Sequence, residues 1–235
     1  SSVSANTEAG FSIVSYTGNE TNNATVGHGL GKSPDWVIIK DRDSNTAGNN
    51  WYVFHSALAS GHYVKLNQTS TTAAISGTSN GGVGSVTSTT FNFVQGTSGN
   101  NKNVNENGDN FIAYCWTSIP GYSKFGSYTG TGLSDGPFLH LGFRPAFIML
   151  KRYDTTNNWH IADSKRQNSY NPVTAQIYPN LSTAEVAQVD LDILSNGFKI
   201  RNSANFENAS GGTYIYMAFA EQPGTTSFDT MTNAR

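Results

Sequence analysis

Leu30-Gly31-Lys32-Ser33-Pro34-Asp35-Trp36-Val37-Ile38-Ile39-Lys40 is written a second time, as Leu141-Gly142-Phe143-Arg144-Pro145-Ala146-Phe147-Ile148-Met149-Leu150-Lys151. The offset is 111 at both ends. Leu, Gly, Pro and the closing Lys stay in register, and an aromatic followed by three apolar residues stands between Pro and Lys in both copies. Gly admits unusual φ values and Pro cannot sit mid-ladder, so each copy reads as a turn feeding a strand that starts after the Pro. A continuous apolar run of this length suits a strand covered on both faces.

The match extends outward in both directions. Ser15-Tyr16-Thr17-Gly18 returns as Ser127-Tyr128-Thr129-Gly130 at an offset of 112, and Asn50-Trp51 as Asn158-Trp159 at 108. Phe91-Asn92-Phe93 answers Phe198-Lys199-Ile200 at 107; Gly108 to Ile112 answers Gly211 to Ile215 at 103, as does Pro120-Gly121 with Pro223-Gly224. The offset falls in order and each loss sits in a polar loop, the behaviour of a duplication that keeps its strands while its loops drift. The expected fold is all-β: two tandem pseudo-repeated β-sandwich (jelly-roll-like) units over 11–121 and 122–224. Residues 1–10 read as an arm or linker, and 225–235 as a frayed or docking tail.

Composition agrees. Charged residues are 13% and glycines number 24, which disfavours long surface helices and favours short strands joined by Gly/Asn/Ser turns. A formal charge of −2 with no basic run speaks against a nucleic-acid partner. Cys115 is alone, so no intrachain disulfide is possible, and its apolar neighbours mark it as a small core residue. No signal-peptide core and no apolar segment of bilayer length is present, so no membrane insertion is expected.

Several local features carry expectations of their own. Asp190–Arg201 reads as a hairpin around Asn196-Gly197. Ser182 and Glu185 read as a capping box on one helical turn. Ala73-Ala74-Ile75 reads as a short strand, and Gly96–Asp109 as a polar Asn-rich loop.

Candidates for chemistry are few. His160, Asp163, Lys165 and Arg166 form the densest ionisable cluster: either a polar site for a sugar or partner, or a strand end with an internal salt bridge. The four tryptophans sit at strand positions and read as core; Trp51 and Trp159, beside Asn-rich loops, are the candidates for a sugar platform. Asp41-x-Asp43-x-Asn45 hints at a Ca²⁺ loop without the remaining ligands. Asp190 and Asp192 fall on one strand face, about 7 Å apart, as an ordinary solvated edge rather than a glycosidase pair. The five histidines lack metal spacing and there is no nucleophile elbow or phosphate loop.

Three blocks carry a family resemblance. They are Tyr122-Ser123-Lys124-Phe125-Gly126-Ser127-Tyr128-Thr129-Gly130 with Asp135-Gly136-Pro137-Phe138 and Gly142-Phe143-Arg144-Pro145-Ala146-Phe147; Asp163-Ser164-Lys165-Arg166 before Tyr170-Asn171-Pro172; and Asn196-Gly197-Phe198-Lys199 with Gly211 to Glu221. In combination they resemble a family of phage virion modules common in marine and cyanobacterial phages, found in tail-fibre and other structural proteins. The resemblance covers roughly 11–223 and is closest in the second copy; the first lacks the Asp163-Ser164-Lys165-Arg166 block and has Phe54-His55-Ser56-Ala57 instead. It implies an all-β virion structural or adhesion module with no catalytic residues and no cofactor. The expected function is a tail-fibre or receptor-binding module of the virion, a homo-oligomer (a trimer), touching other virion proteins and host surface glycan. A capsid decoration or assembly protein and a polysaccharide depolymerase are the alternatives.

Overall fold

The structure, a computed structural model, describes residues 1–43, 50–71, 81–166 and 171–222. The chain divides into two compact units between Thr117 and Ser118, slightly ahead of the expected boundary at 121/122. The expected strand at Ala73-Ala74-Ile75, Asn45 and the tail 225–235 lie outside the described residues.

The first unit contains β1 (Ser2–Asn6), β2 (Phe11–Thr17), β3 (Thr25–Gly27), β4 (Trp36–Asp41), β5 (Trp51–His55), β6 (Val64–Lys65), β7 (Gly82–Val86), β8 (Thr90–Val94), the short helix α1 (Lys102–Asn105) and β9 (Asn110–Trp116). They form a six-stranded sheet in the order β1-β2-β9-β4-β5-β6 and a three-stranded sheet β3-β8-β7. Val14, Tyr16, Val37, Ile39, Phe111 and Ala113 from the large sheet meet Val26, Val83, Phe91 and Phe93 from the small one in a single core. The alternation that strands impose is plain in β8, where Phe91 and Phe93 are buried and Asn92 between them is not.

The second unit contains β10 (Ser123–Thr129), β11 (Phe138–His140), β12 (Pro145–Arg152), β13 (Trp159–Asp163), β14 (Val173–Gln176), β15 (Val186–Leu194), β16 (Gly197–Ile200) and β17 (Thr213–Ala220). Its sheets run β10-β17-β12-β13 and β11-β16-β15-β14. Ile148, Leu150, Tyr216 and Ala218 pack against Leu139, Leu191, Ile193, Phe198 and Ile200.

The two copies of the opening stretch hold the same place, β4 between β9 and β5, β12 between β17 and β13. Gly31 and Gly142 both take a left-handed backbone, φ +70° and +86°, where a side chain would be strained. Lys40 faces Trp51 and Ile112; Lys151 faces Trp159 and Ile215. The orders β2-β9-β4-β5 and β3-β8-β7 correspond strand for strand to β10-β17-β12-β13 and β11-β16-β15.

The loops correspond as well. Tyr16 donates its hydroxyl to the Val104 carbonyl at 2.6 Å, Tyr128 to the Glu207 carbonyl at 2.7 Å. The Trp51 N–H donates to Asn67 Oδ1 and the Trp159 N–H to Asn180 Oδ1; each asparagine amide then donates to Asn50 or Asn158. A Cβ on Gly18 would overlap the Glu106 carbonyl oxygen, and one on Gly130 the Ala209 carbonyl oxygen. The units differ at their margins: β1 and β6 widen the large sheet of the first, while β14 widens the small sheet of the second.

Four expectations need correction. Residues 1–10 are not a loose arm, because Ser2–Asn6 pairs with β2 from Ser2↔Ser15 to Asn6↔Phe11. The turn between them is held by Asn6 Oδ1, which accepts the N–H of Glu8 and Ala9. Backbone pairing needs no apolar side chain, so composition gave no sign of it. The polar segment before β9 is not an outer loop: Asn101, Asn103 and Asn105 are buried with Val104, their amides bonding across to Thr21, Tyr63 and Asn19. Ser182–Glu185 forms no helical turn, and Glu185 pairs instead with Arg166. The β15–β16 hairpin exists, with Leu194 opposite Gly197, but Ser195 and Asn196 make its turn and none of the three takes a positive φ. Gly197 is required for another reason: a Cβ there would overlap the Leu139 carbonyl oxygen of β11.

Candidate functional site

Asp163 ends β13, and the chain folds back on its carboxylate. Oδ1 accepts the N–H of Lys165 at 2.8 Å and of Arg166 at 2.9 Å, a turn of the kind Asp favours. Burial acts to raise the Asp163 carboxyl, but the Arg166 side chain and the two backbone N–H groups outweigh it and hold it below the usual range. Arg166 is a rivet. Its Nε meets Asp163 Oδ2, Nη1 meets Glu185 at 3.0 Å, and Nη2 donates to the carbonyls of Ile161 and Ala175 at 2.9 and 3.2 Å. It thereby ties β13 to β14.

Lys165 points away from this rivet, its side chain 76% exposed, and reaches Glu221 Oε1 at 2.8 Å. Arg144, in the turn before β12, reaches Glu221 Oε2 through Nε at 2.9 Å and donates Nη1 to the Ile193 carbonyl at 3.0 Å. Glu221 itself follows β17, and its N–H donates to the Arg144 carbonyl. The hydrogen bond from Lys165, with help from Arg144, keeps the Glu221 carboxyl below its ordinary value. With Gly121, Gly142, Phe143 and Gln222 these three side chains line a surface depression of about 740 Å³.

The first unit builds the same turn without these charges. At the matching positions it has Ser33 for Arg144, His55 for Asp163 and Ala57 for Lys165. His55 Nδ1 accepts the Ala57 N–H at 2.9 Å, as Asp163 accepts that of Lys165. The Ser56 N–H donates to the Asp35 carbonyl where the Ser164 N–H donates to Ala146. Arg144 and Glu221 were not among the expected site residues. A signal for Arg144 was present, since it stands between the matched Gly142 and Pro145 where the first copy has Ser33.

The remaining expected site residues lie elsewhere. Trp159 is fully buried; its backbone is inside β13, opposite Lys151, so the sheet and not a loop carries its ring, and it cannot be a sugar platform. His160 is buried because the inward step of the strand wedges it against Phe206, stacked at 4.5 Å and 18°, and edge-on to Tyr178 at 4.9 Å. Trp51, half-buried, belongs to the first unit, where it stacks on Tyr114 at 6.4 Å and Tyr114 on Trp116 at 6.2 Å. Asp190 and Asp192 are not a solvated edge, since both are buried; Asp192 is paired with Arg201 at 2.5 Å. Burial pushes the Asp190 carboxyl up to about 8. Cys115 is buried, its thiol pushed up to about 12 by that burial.

Among the described residues no three His, Cys, Asp or Glu side chains are placed to hold a metal. In the loop with the Ca²⁺ hint, Asp41 Oδ1 accepts the Asp43 N–H, and Asp43 Oδ2 accepts both the N–H and the amide of Asn110. Those oxygens close a loop. Among the described residues no helix is long and apolar enough to cross a membrane.

Fold and site together define an all-β protein of two sandwich units, the second of which carries an ionic surface depression. The chain belongs to the family whose model is described as a domain of unknown function, DUF7483, which matches residues 1–223 and so spans both units. No curated protein and no solved structure matches it.

Proposed function

We propose that the chain is a non-enzymatic component of a phage virion, a tail-fibre or receptor-binding module that contacts host surface glycan. The observation that supports this most is the depression lined by Arg144, Lys165 and Glu221. The matching turn of the first unit closes without those ions, so the fold does not require them. A shallow site of this kind binds weakly by itself; several copies on one particle raise the effective concentration and the avidity. On this reading the protein works as a symmetric homo-oligomer, a trimer, among other virion proteins. The two units are then products of one duplication, which the matched strand orders and loop hydrogen bonds support.

A glycan array probed with the purified chain tests the proposal. Saturable binding to host polysaccharide upholds it. Silence on the array together with tight binding to capsids would transfer the protein to a decoration role. Release of reducing ends from host polysaccharide would make it a depolymerase.

A further inference from the structure

We infer that the depression takes a carboxylate-bearing saccharide and that Glu221 occupies the place of the ligand carboxylate until it arrives. This rests on the receptor-binding reading and deepens it. Among the described residues the lining holds two cations and one carboxylate, a surplus of one positive charge. Both cations converge on the same group, Arg144 through Nε and Lys165 through Nζ. They come from different parts of the chain, one before β12 and one after β13, and the carboxylate comes from a third, after β17.

The donors are not used up. Among the described residues Arg144 Nη2 makes no hydrogen bond, and Lys165 Nζ, with three protons, makes one. A planar guanidinium beside an ammonium is matched by a planar anion with two oxygens, and such charge-assisted bonds are stronger than those to neutral hydroxyls. A neutral sugar therefore cannot displace Glu221, whereas a uronate can share or take its cations. Glu221 is 29% exposed and Arg144 47%, so exchange needs no opening of the core. Arg166 takes no part, since its donors are bound to Asp163, Glu185, Ile161 and Ala175.

The test uses the full chain with alginate, a polyuronate, and with dextran, a neutral polymer, at low and high salt. Alginate should bind more tightly than dextran and weaken as salt rises. Glu221→Gln should tighten alginate binding by roughly 2- to 5-fold, because a competing charge is removed from an exposed site. Lys165→Gln should loosen it by a similar factor, and Arg144→Gln with Lys165→Gln by about 10-fold. Unchanged melting temperatures show that the variants fold. Glu221→Gln binding no tighter, or Lys165→Gln binding as well as the parent, overturns the inference. Neutral glycan held with indifference to all three side chains overturns it while leaving the receptor-binding reading intact. If the parent and Glu221→Gln hold neither acidic nor neutral saccharide, both fall.

Discussion

Where the first unit has Tyr52 the second has His160, and where the first has Val104 the second has Glu207. Around Tyr52 the polar side chains pair with one another: its hydroxyl donates to Asn103 Oδ1 at 3.0 Å, and the Asn103 amide donates to the Tyr63 hydroxyl at 2.7 Å. Around His160 the interior is ionisable and incompletely paired. Among the described residues neither ring nitrogen, nor Asp190 Oδ1, has a partner in good hydrogen-bond geometry, although the Gln176 amide lies near both groups. Glu207 is held by Gln176 at 3.3 Å and by Asn202. One strand plan thus accommodates two interiors: each holds a buried histidine, His55 or His160, that makes stability depend on pH, and the second adds the raised carboxyl of Asp190.

The comparison can be broken first at the cores. Phe91 and Phe198 hold matching, fully buried positions, so Phe91→Ala and Phe198→Ala should each cost about 3–5 kcal/mol. Denaturant unfolding reads this, and a small loss from either would show that the two cores are not built alike. Next come the tyrosine clamps. Tyr16→Phe and Tyr128→Phe each leave a carbonyl, Val104 or Glu207, without its hydroxyl donor; about 1–3 kcal/mol should be lost from each. Unequal losses would mean that the two clamps do different work.

The pH dependence should separate the units. Burial lowers His160 to about 4; a smaller raising effect from the nearby Gln176 amide opposes it, and the Lys151 charge adds to it. A depressed histidine adds stability as pH climbs from 4 to 6.5. Asp190 behaves oppositely. Burial raises it to about 8, against smaller pulls from Gln176 and Arg166, so its contribution is full below the unfolded value near 4 and lost as pH rises through 8. The two offset one another between 4 and 6.5, and a net fall of about 1–2 kcal/mol remains between 6.5 and 8. In the first unit His55, lowered to about 4 by burial, gives the rise without the fall. Unfolding followed from pH 4 to 9 checks this, and Asp190→Asn should flatten the decline. The smallest effect is at the surface. Lys165→Gln should change stability by less than about 0.5 kcal/mol, because exposed pairs contribute little.

Much of the fold was legible because it is carried by side-chain alternation and by glycines with a fixed duty. Gly31 and Gly142 announced their turns, and the apolar run between Pro and Lys announced central strands. What stayed hidden was carried by the backbone or by asparagine. The strand β1 has no apolar pattern. The asparagines before β9 look like loop residues, yet they are buried hydrogen-bond bridges. Asn67 and Asn180, two more asparagines outside the strands, pin the start of β5 and β13. In the site, Asp163, Lys165 and Arg166 were visible as a cluster of charge along the chain. Arg144 and Glu221, distant in sequence, join it only when β12 and β17 lie side by side.

The strand β1 has a consequence of its own. All five of its residues are exposed, it ends the order of its sheet, and its strand pairing is to β2 alone among the described residues. A segment that buries so little opens at small free-energy cost. Its amides should take up deuterium long before those of β4, and a protease should nick there first. When it lifts, the freed row of donors and acceptors along β2 becomes available to any extended peptide that meets it.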